Sequence, residues 1–210
     1  MMEYVFLGYA PSLFLLWYVY YKDRIEPEPK FYVVITFLFA SLVSTSIAIL
    51  LERPLNEIPL FILAPFIEEF AKMLALLIPY KRRMFDGVMD GVVYGVAAGL
   101  GFASFENLMY GLSYGYGTAL VRAFLTPVAH SAFTSIIGVG FGLKSEGKTV
   151  SIIPYFLLAG VFHLIWNTSA LTGVYTLTLF GANILLLYIL IKIGIREDVQ
   201  KIEEYIIRKF

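Results

Sequence analysis

The sequence predicts an all-α protein, a polytopic bundle of about seven transmembrane helices. Three observations carry this expectation. Of 210 residues, 59% are hydrophobic and 17% aromatic, while only 15% are charged, against about 25% charged in ordinary soluble domains. That apolar surface exceeds what one soluble core can hide, so lipid is its natural solvent. The hydrophobic residues also fall into seven long stretches separated by short polar connections. Finally, the basic residues are distributed unevenly between alternate connections, as membrane topology requires.

The stretches follow in order. Residues 3–21 open at Met1 with no basic leader and no small-residue cleavage site, so they read as a retained span. Lys22–Lys30, with Pro27 and Pro29, is a loop, and 31–51 forms the second span. After Glu52–Glu57, residues 58–79 form the third, then Tyr80–Asp90 leads into a glycine-rich fourth at 91–112. The fifth and sixth cover 118–143 and 151–171, separated by Lys144–Val150. A tight break at Thr172–Gly173 precedes the last span, 173–193. Aromatic groups at Trp17–Tyr21 and Tyr110–Tyr116 sit at span ends, where interfacial aromatics belong. Residues 1–194 therefore read as one membrane domain. In 195–210, Val199, Ile202, Ile206 and Phe210 share a helix face among charges, which predicts a cytoplasmic amphipathic tail.

Alternate connections and the tail hold Lys22, Arg24, Lys30, Lys81, Arg82, Arg83, Lys144, Lys148, Lys192, Arg196, Lys201, Arg208 and Lys209. The other side holds only Arg53 and Arg122. Thirteen against two places the N-terminus outside and the C-terminus in the cytoplasm. The Lys81–Arg83 run can also meet anionic headgroups. Zero net charge gives no support for a nucleic-acid partner. The absence of cysteine excludes disulfides, thiolate metal sites and cysteine nucleophiles.

The sixteenth basic residue, Lys72, falls inside the third span beside Glu68 and Glu69. Glu106 and Asn107 lie in the fourth span, His130 in the fifth, His163 and Asn167 in the sixth. Ionisable groups within a bilayer are costly, face the bundle interior and mark function. At ~1.5 Å per residue, Glu69 lies about 17 Å from the outer face, His130 about 18 Å, His163 about 12 Å and Glu106 about 9 Å. Four helices running in alternating directions thus bring these groups to one layer. Gly87, Gly91, Gly95 and Gly99 recur every fourth residue, with Gly101 nearby, and permit close helix contact. Pro65 and Pro127 precede polar positions by about one turn and can kink their helices toward a cavity.

These residue types point to hydrolysis. Glu69 is a candidate general base, while Glu68 forms an i,i+4 pair with Lys72 or assists. His130 and His163 can serve as acid, oxyanion donor or metal ligand, and Asn167 as an oxyanion donor one turn from His163. Glu106 is either another site carboxylate or a partner that fixes an imidazole tautomer, and Thr134 stands behind His130. Glu69, Glu106, His130 and His163 also form a candidate ligand set for zinc with an open water position. Metal-free and zinc-dependent hydrolysis both remain open at this point. An ion- or proton-coupled transporter, or a non-catalytic membrane scaffold, are the rival classes. No internal repeat supports a transporter. Asp86 and Asp90 read as helix-entry residues and Tyr94 as structural.

Five motifs in order resemble the PrsW family of intramembrane proteases, in the wider group with CAAX prenyl endopeptidases and bacteriocin-immunity proteins. Asp23-Arg24-Ile25-Glu26-Pro27-Glu28-Pro29 is similar to D-x-x-E-P-E-P, and Glu68-Glu69-Phe70-Ala71-Lys72 to E-E-x-x-K. Asp90-Gly91 through Phe105-Glu106-Asn107 resembles the Asp-Gly to Phe-Glu-Asn run. His130-Ser131-Ala132-Phe133-Thr134 is similar to H-x-x-x-T, and His163-Leu164-Ile165-Trp166-Asn167 to H-x-x-W-N. The resemblance implies cleavage of single-span or membrane-anchored proteins, such as anti-sigma factors, near the outer face. It implicates Glu68, Glu69, His130 and His163 in catalysis. The CAAX branch carries F-x-x-x-H where this chain has Phe105-Glu106, which argues against prenyl-protein processing.

Overall fold

The computed structural model describes residues 1–209, and Phe210, expected on the apolar face of the tail, lies outside them; so do the side chains of Tyr205 and Arg208. Seven helices account for the described chain: α1 Met2–Lys22, α2 Lys30–Glu52, α3 Glu57–Lys81, α4 Val88–Tyr114, α5 Tyr116–Ser145, α6 Ile153–Thr172 and α7 Thr176–Lys209. There is no strand among these residues. Six of the helices are long and apolar enough to cross a membrane. The exception is α3, whose 25 residues suffice in length but enclose Glu68, Glu69 and Lys72.

The helix limits agree with the expected spans to within a few residues, except at the C-terminus. There α7 runs unbroken through the positions where a separate amphipathic tail was expected. Asp198 is buried, and Lys201 donates to the Asp86 carbonyl at 2.7 Å and pairs with Glu146 at 2.9 Å. These contacts fasten the extension to the end of the bundle. The tight turn before α7 is made by Gly173, whose φ of 71° is the left-handed conformation of a helix terminator. Ser169 reinforces it by donating to the Val174 carbonyl at 2.7 Å.

α4 and α5 form the centre and are buried almost throughout; the remaining spans surround them and present apolar side chains outward. Glycine explains why these two approach so closely. A Cβ at Gly91 would fall on the backbone of Gly138, and one at Gly99 on the backbone of His130. Backbone contact between the helices leaves little freedom to slide. It therefore fixes the height of His130 on α5 relative to Glu106 on α4.

α2 contains one π turn, Ala40–Ser44. Such turns often accompany functional sites because they re-aim side chains. Here Ser44 donates to the Ala71 carbonyl at 2.7 Å, and Ser41 bonds Tyr9 Oη at 2.8 Å. α2 is thereby tied to α3 beside Lys72.

Candidate active site

The polar residues of α3, α4, α5 and α6 meet inside the bundle. Glu69 and Lys72 are one helical turn apart on α3 and both fully buried. Lys72 Nζ lies 2.8 Å from Glu69 Oε1 and 3.4 Å from Glu68 Oε2. The tighter pair is thus Lys72 with Glu69, where the sequence spacing had favoured Glu68. Thr134, one turn beyond His130 on α5, donates to Glu69 Oε2 at 2.9 Å. His163 Nδ1 lies 3.0 Å from Glu69 Oε1. Both carboxylate oxygens of Glu69 are therefore engaged.

These contacts set the imidazole tautomers. A carboxylate only accepts, so His163 donates from Nδ1 and leaves the Nε2 lone pair free, 3.7 Å from Glu68 Oε2. An ammonium only donates, so His130 accepts from Lys72 at Nδ1, 2.9 Å away. Its Nε2 then carries the hydrogen and lies 3.3 Å from Glu106 Oε2, without the alignment of a hydrogen bond. The Phe133 ring stacks on His163 at 5.2 Å between centroids, and Phe102 stacks on His130 at 5.9 Å while lying 4.3 Å from Lys72 Nζ. Aromatic faces thus restrict both rings and cover the lysine.

Glu106 joins the cluster from α4. Arg122 Nη2 pairs with it at 2.8 Å, and Asn107 holds Arg122 in turn through Oδ1 to Nε at 3.0 Å. Thr126 donates to the same Asn107 oxygen at 2.7 Å. A polar chain therefore runs Asn107, Arg122, Glu106, His130. Arg122 had been read only as an outer basic residue. The register Arg122, Thr126, His130, four residues apart on one helix face, is the sequence signal that marks it.

A cavity of about 870 Å³ opens beside this cluster. Its wall includes Glu68, Glu106, His130 and Asn167, together with Phe102, Trp166 and the apolar residues of α2 and α3. Glu57, Thr118, Leu171 and Thr176, all near helix ends on the side of the N-terminus, border it too, so its mouth faces that end of the bundle. Glu69 and His163 are not part of the wall. Asn167 faces the cavity and makes no side-chain hydrogen bond among the described residues.

Ligand atoms of Glu68, His130 and His163 lie within 4.8 Å of one another. Two imidazoles and one carboxylate are the donor set of many catalytic zinc sites. The carboxylate of this triad is Glu68, whereas the sequence had offered Glu69 and Glu106. The geometry explains the exchange. Glu69 is saturated by Lys72, Thr134 and His163, Glu106 is held by Arg122, and Glu68 keeps spare donor capacity facing the cavity.

At the opposite end of the bundle, the first-loop motif is held by α4. Tyr94 donates to Glu28 Oε2, the Glu28 amide to Asp23 Oδ2 at 3.3 Å, and Tyr20 Oη to the Glu28 carbonyl at 3.0 Å. Asp90 caps α4 by accepting from the Gly87 amide at 2.9 Å.

The sequence profile of a family described as "PrsW family intramembrane metalloprotease" matches residues 28–194. "Protease PrsW" of Geobacillus kaustophilus is 37% identical over 145 residues, 64% of this chain and 64% of that protein. The match therefore spans just under two thirds of that relative. The same-named protein of Oceanobacillus iheyensis is 32% identical over 173 residues, 75% of this chain and 80% of its own. That of Bacillus subtilis is 31% identical over 175 residues, again 75% and 80%. No solved structure matches.

Proposed function

The chain belongs to the PrsW family of intramembrane metalloproteases, and from that premise we propose that it hydrolyses a peptide bond of a membrane-anchored protein at the Glu68, His130 and His163 triad. One observation carries the reading. These three residues, from three different helices, converge to within 4.8 Å beside a cavity large enough for an unfolded segment.

Glu68, His130 and His163 would hold a zinc ion, with His130 offering the Nδ1 lone pair that meets Lys72 here. Bound there, zinc would supply Lewis acidity and a water acidified to near neutrality. The chain's own groups do the rest. Glu69 fixes His163 in the tautomer whose Nε2 lone pair is available, and Thr134 satisfies its second oxygen. Lys72 pairs more tightly with Glu69 than with Glu68, which leaves Glu68 the less engaged of the two carboxyl groups. The sequence had favoured Glu69 as proton acceptor, but its engaged oxygens lie outside the cavity wall. Glu106, a wall residue oriented by Arg122, is the better placed base. The Asn167 amide can donate to the developing oxyanion.

The basic-residue bias supports an N-terminus outside and a C-terminus in the cytoplasm. With that orientation the cavity mouth faces outward, and cleavage falls near the outer surface. Substrates of the anti-sigma-factor kind, anchored by one span, fit such a mouth.

The test is cleavage of a single-span reporter by purified protein in liposomes, with bound metal measured on the same samples. One zinc per chain is expected, with Glu68→Gln and His163→Ala each lowering both zinc content and cleavage, the latter by roughly 10³-fold or more. Full activity in metal-free protein would refute the zinc assignment. Wild-type activity and zinc content in Glu68→Gln would remove Glu68 from the ligand set.

A further inference from the structure

The cavity wall has four carboxylates, Glu52, Glu57, Glu68 and Glu106, and one guanidinium, Arg122. Three of the acids are accounted for. Glu68 belongs to the triad, Glu106 is paired with Arg122, and Glu57 stands exposed in the first turn of α3, where water and the helix dipole stabilise it. The charge of Arg122 is already met within the wall. It pairs with Glu106 at 2.8 Å, bonds Asn107 at 3.0 Å and lies 3.8 Å from the centroid of the Tyr110 ring.

Glu52 is the remaining carboxylate. Its Oε1 is buried without a hydrogen-bond partner, and the residue makes no ion pair among the described residues. It closes α2 on the helix face that also carries Thr45, Ala48 and Ile49, all of them in the cavity wall. The same wall holds Leu60, Phe61 and Ala64 of α3. A carboxylate oxygen enclosed by such a wall is costly until an opposite charge reaches it. A wall of this kind discriminates between substrates, because the wrong one leaves the buried group unpaired and the right one satisfies it.

We propose that Glu52 binds a cationic side chain, Lys or Arg, of the protein substrate in the outer part of the cavity. The proposal rests on the peptidase reading of the same site and adds a specificity determinant to it. Glu57, at the same mouth, precedes Glu68 by eleven residues of helix, which is about 16 Å. About five extended residues span that distance. The substrate cation therefore falls within about five residues of the scissile bond, on the side of the mouth.

The experiment uses full-length protein in liposomes and single-span reporters that carry Lys, Gln or Glu, one position at a time, across that window. The readout is the ratio of kcat/KM between reporters, which does not depend on how much enzyme is active. Wild type should favour Lys over Gln by about tenfold or more at one position. E52Q, which keeps the side chain's shape, should bring that ratio close to unity. E52K should reverse it in favour of the Glu reporter. Cleavage by wild type with no charge preference at any position overturns the proposal and leaves the peptidase reading intact. An unchanged ratio in both E52Q and E52K overturns it as well. Absence of cleavage by wild type on every reporter defeats the peptidase reading, and this proposal with it.

Discussion

Acidic side chains are buried at two levels of this bundle, and the two groups are compensated differently. Within the bundle, Glu69 and Glu106 face cations and imidazoles brought from other positions: Lys72, Arg122, His130 and His163. At the end that carries the C-terminus, Asp23, Glu28 and Asp90 are met by backbone amides and a tyrosine hydroxyl. Uncharged donors leave a carboxyl dependent on its own proton. Burial pushes the Asp23 carboxyl up to about 6. Burial and the neighbouring Asp90 push Glu28 up to about 10 and Asp86 up to about 6. The contrast separates two uses of the same residue type. Cations and imidazoles compensate the carboxylates near the cavity, whereas neutral donors make a joint between helices.

The largest effect that tests this contrast comes from Lys72. Its ammonium has no exposure, and neither has the side chain of Glu69. Lys72→Met leaves a buried carboxylate without its partner and should cost about 3–5 kcal/mol of stability. Adding Glu69→Gln should return most of that loss, because the stranded charge disappears, while cleavage stays absent. Unfolding of the two single variants and the double variant in detergent measures the coupling. Strictly additive losses would show that the pair is not the compensating unit.

A smaller effect is expected from the chain that orients His130. Arg122→Gln removes the charge that holds Glu106, leaving a mobile carboxyl group beside His130 Nε2. Metal affinity or cleavage should fall about 10–100-fold. Arg122→Lys should restore little of it, since one ammonium cannot reproduce the separate bonds to Glu106 and Asn107. Wild-type zinc binding and cleavage in Arg122→Gln would place this chain outside the site.

Much of the architecture was readable because lipid imposes one rule over long segments. Span limits followed from hydrophobic length, and α3 was recognisable because its charges sit between apolar runs long enough to carry them. The common depth of Glu69, Glu106, His130 and His163 followed from helical rise alone. Less was readable where neighbours decide. Glu68 and Glu69 are adjacent and about 100° apart around α3, and only Thr134 and His163, from other helices, determine which one is saturated. Glu52 looked like a loop residue because its significance lies in what surrounds its carboxylate. The π turn at Ala40–Ser44 has no residue that announces it, and the bond from its Ser44 to α3 exists only in the folded bundle. The extension of α7 beyond residue 194 followed the helical period that was noticed, but its docking depends on Asp86 and Glu146, far away in sequence.

The smallest effect concerns the carboxyls at the C-terminal end, and its sign is opposite to that of ordinary acid unfolding. Glu28 titrates near 4.5 when unfolded and near 10 in the bundle, while Asp23 and Asp86 move from 3.8 to about 6. Between the unfolded and folded values the native state holds the extra protons. Stability from these groups is therefore complete below about pH 4 and is lost as pH rises, through about 6 for the aspartates and about 10 for Glu28. In detergent, the midpoint of thermal unfolding should fall on the order of 5 °C between about pH 5 and about pH 9. Glu28→Gln keeps an acceptor for Tyr94 and removes the titrating group, so its profile should be flatter with cleavage retained. A wild-type midpoint that rises across this range, or a Glu28→Gln profile as steep as wild type, would mean that the joint between the first loop and α4 is held as an ionised cluster, like the one beside the cavity.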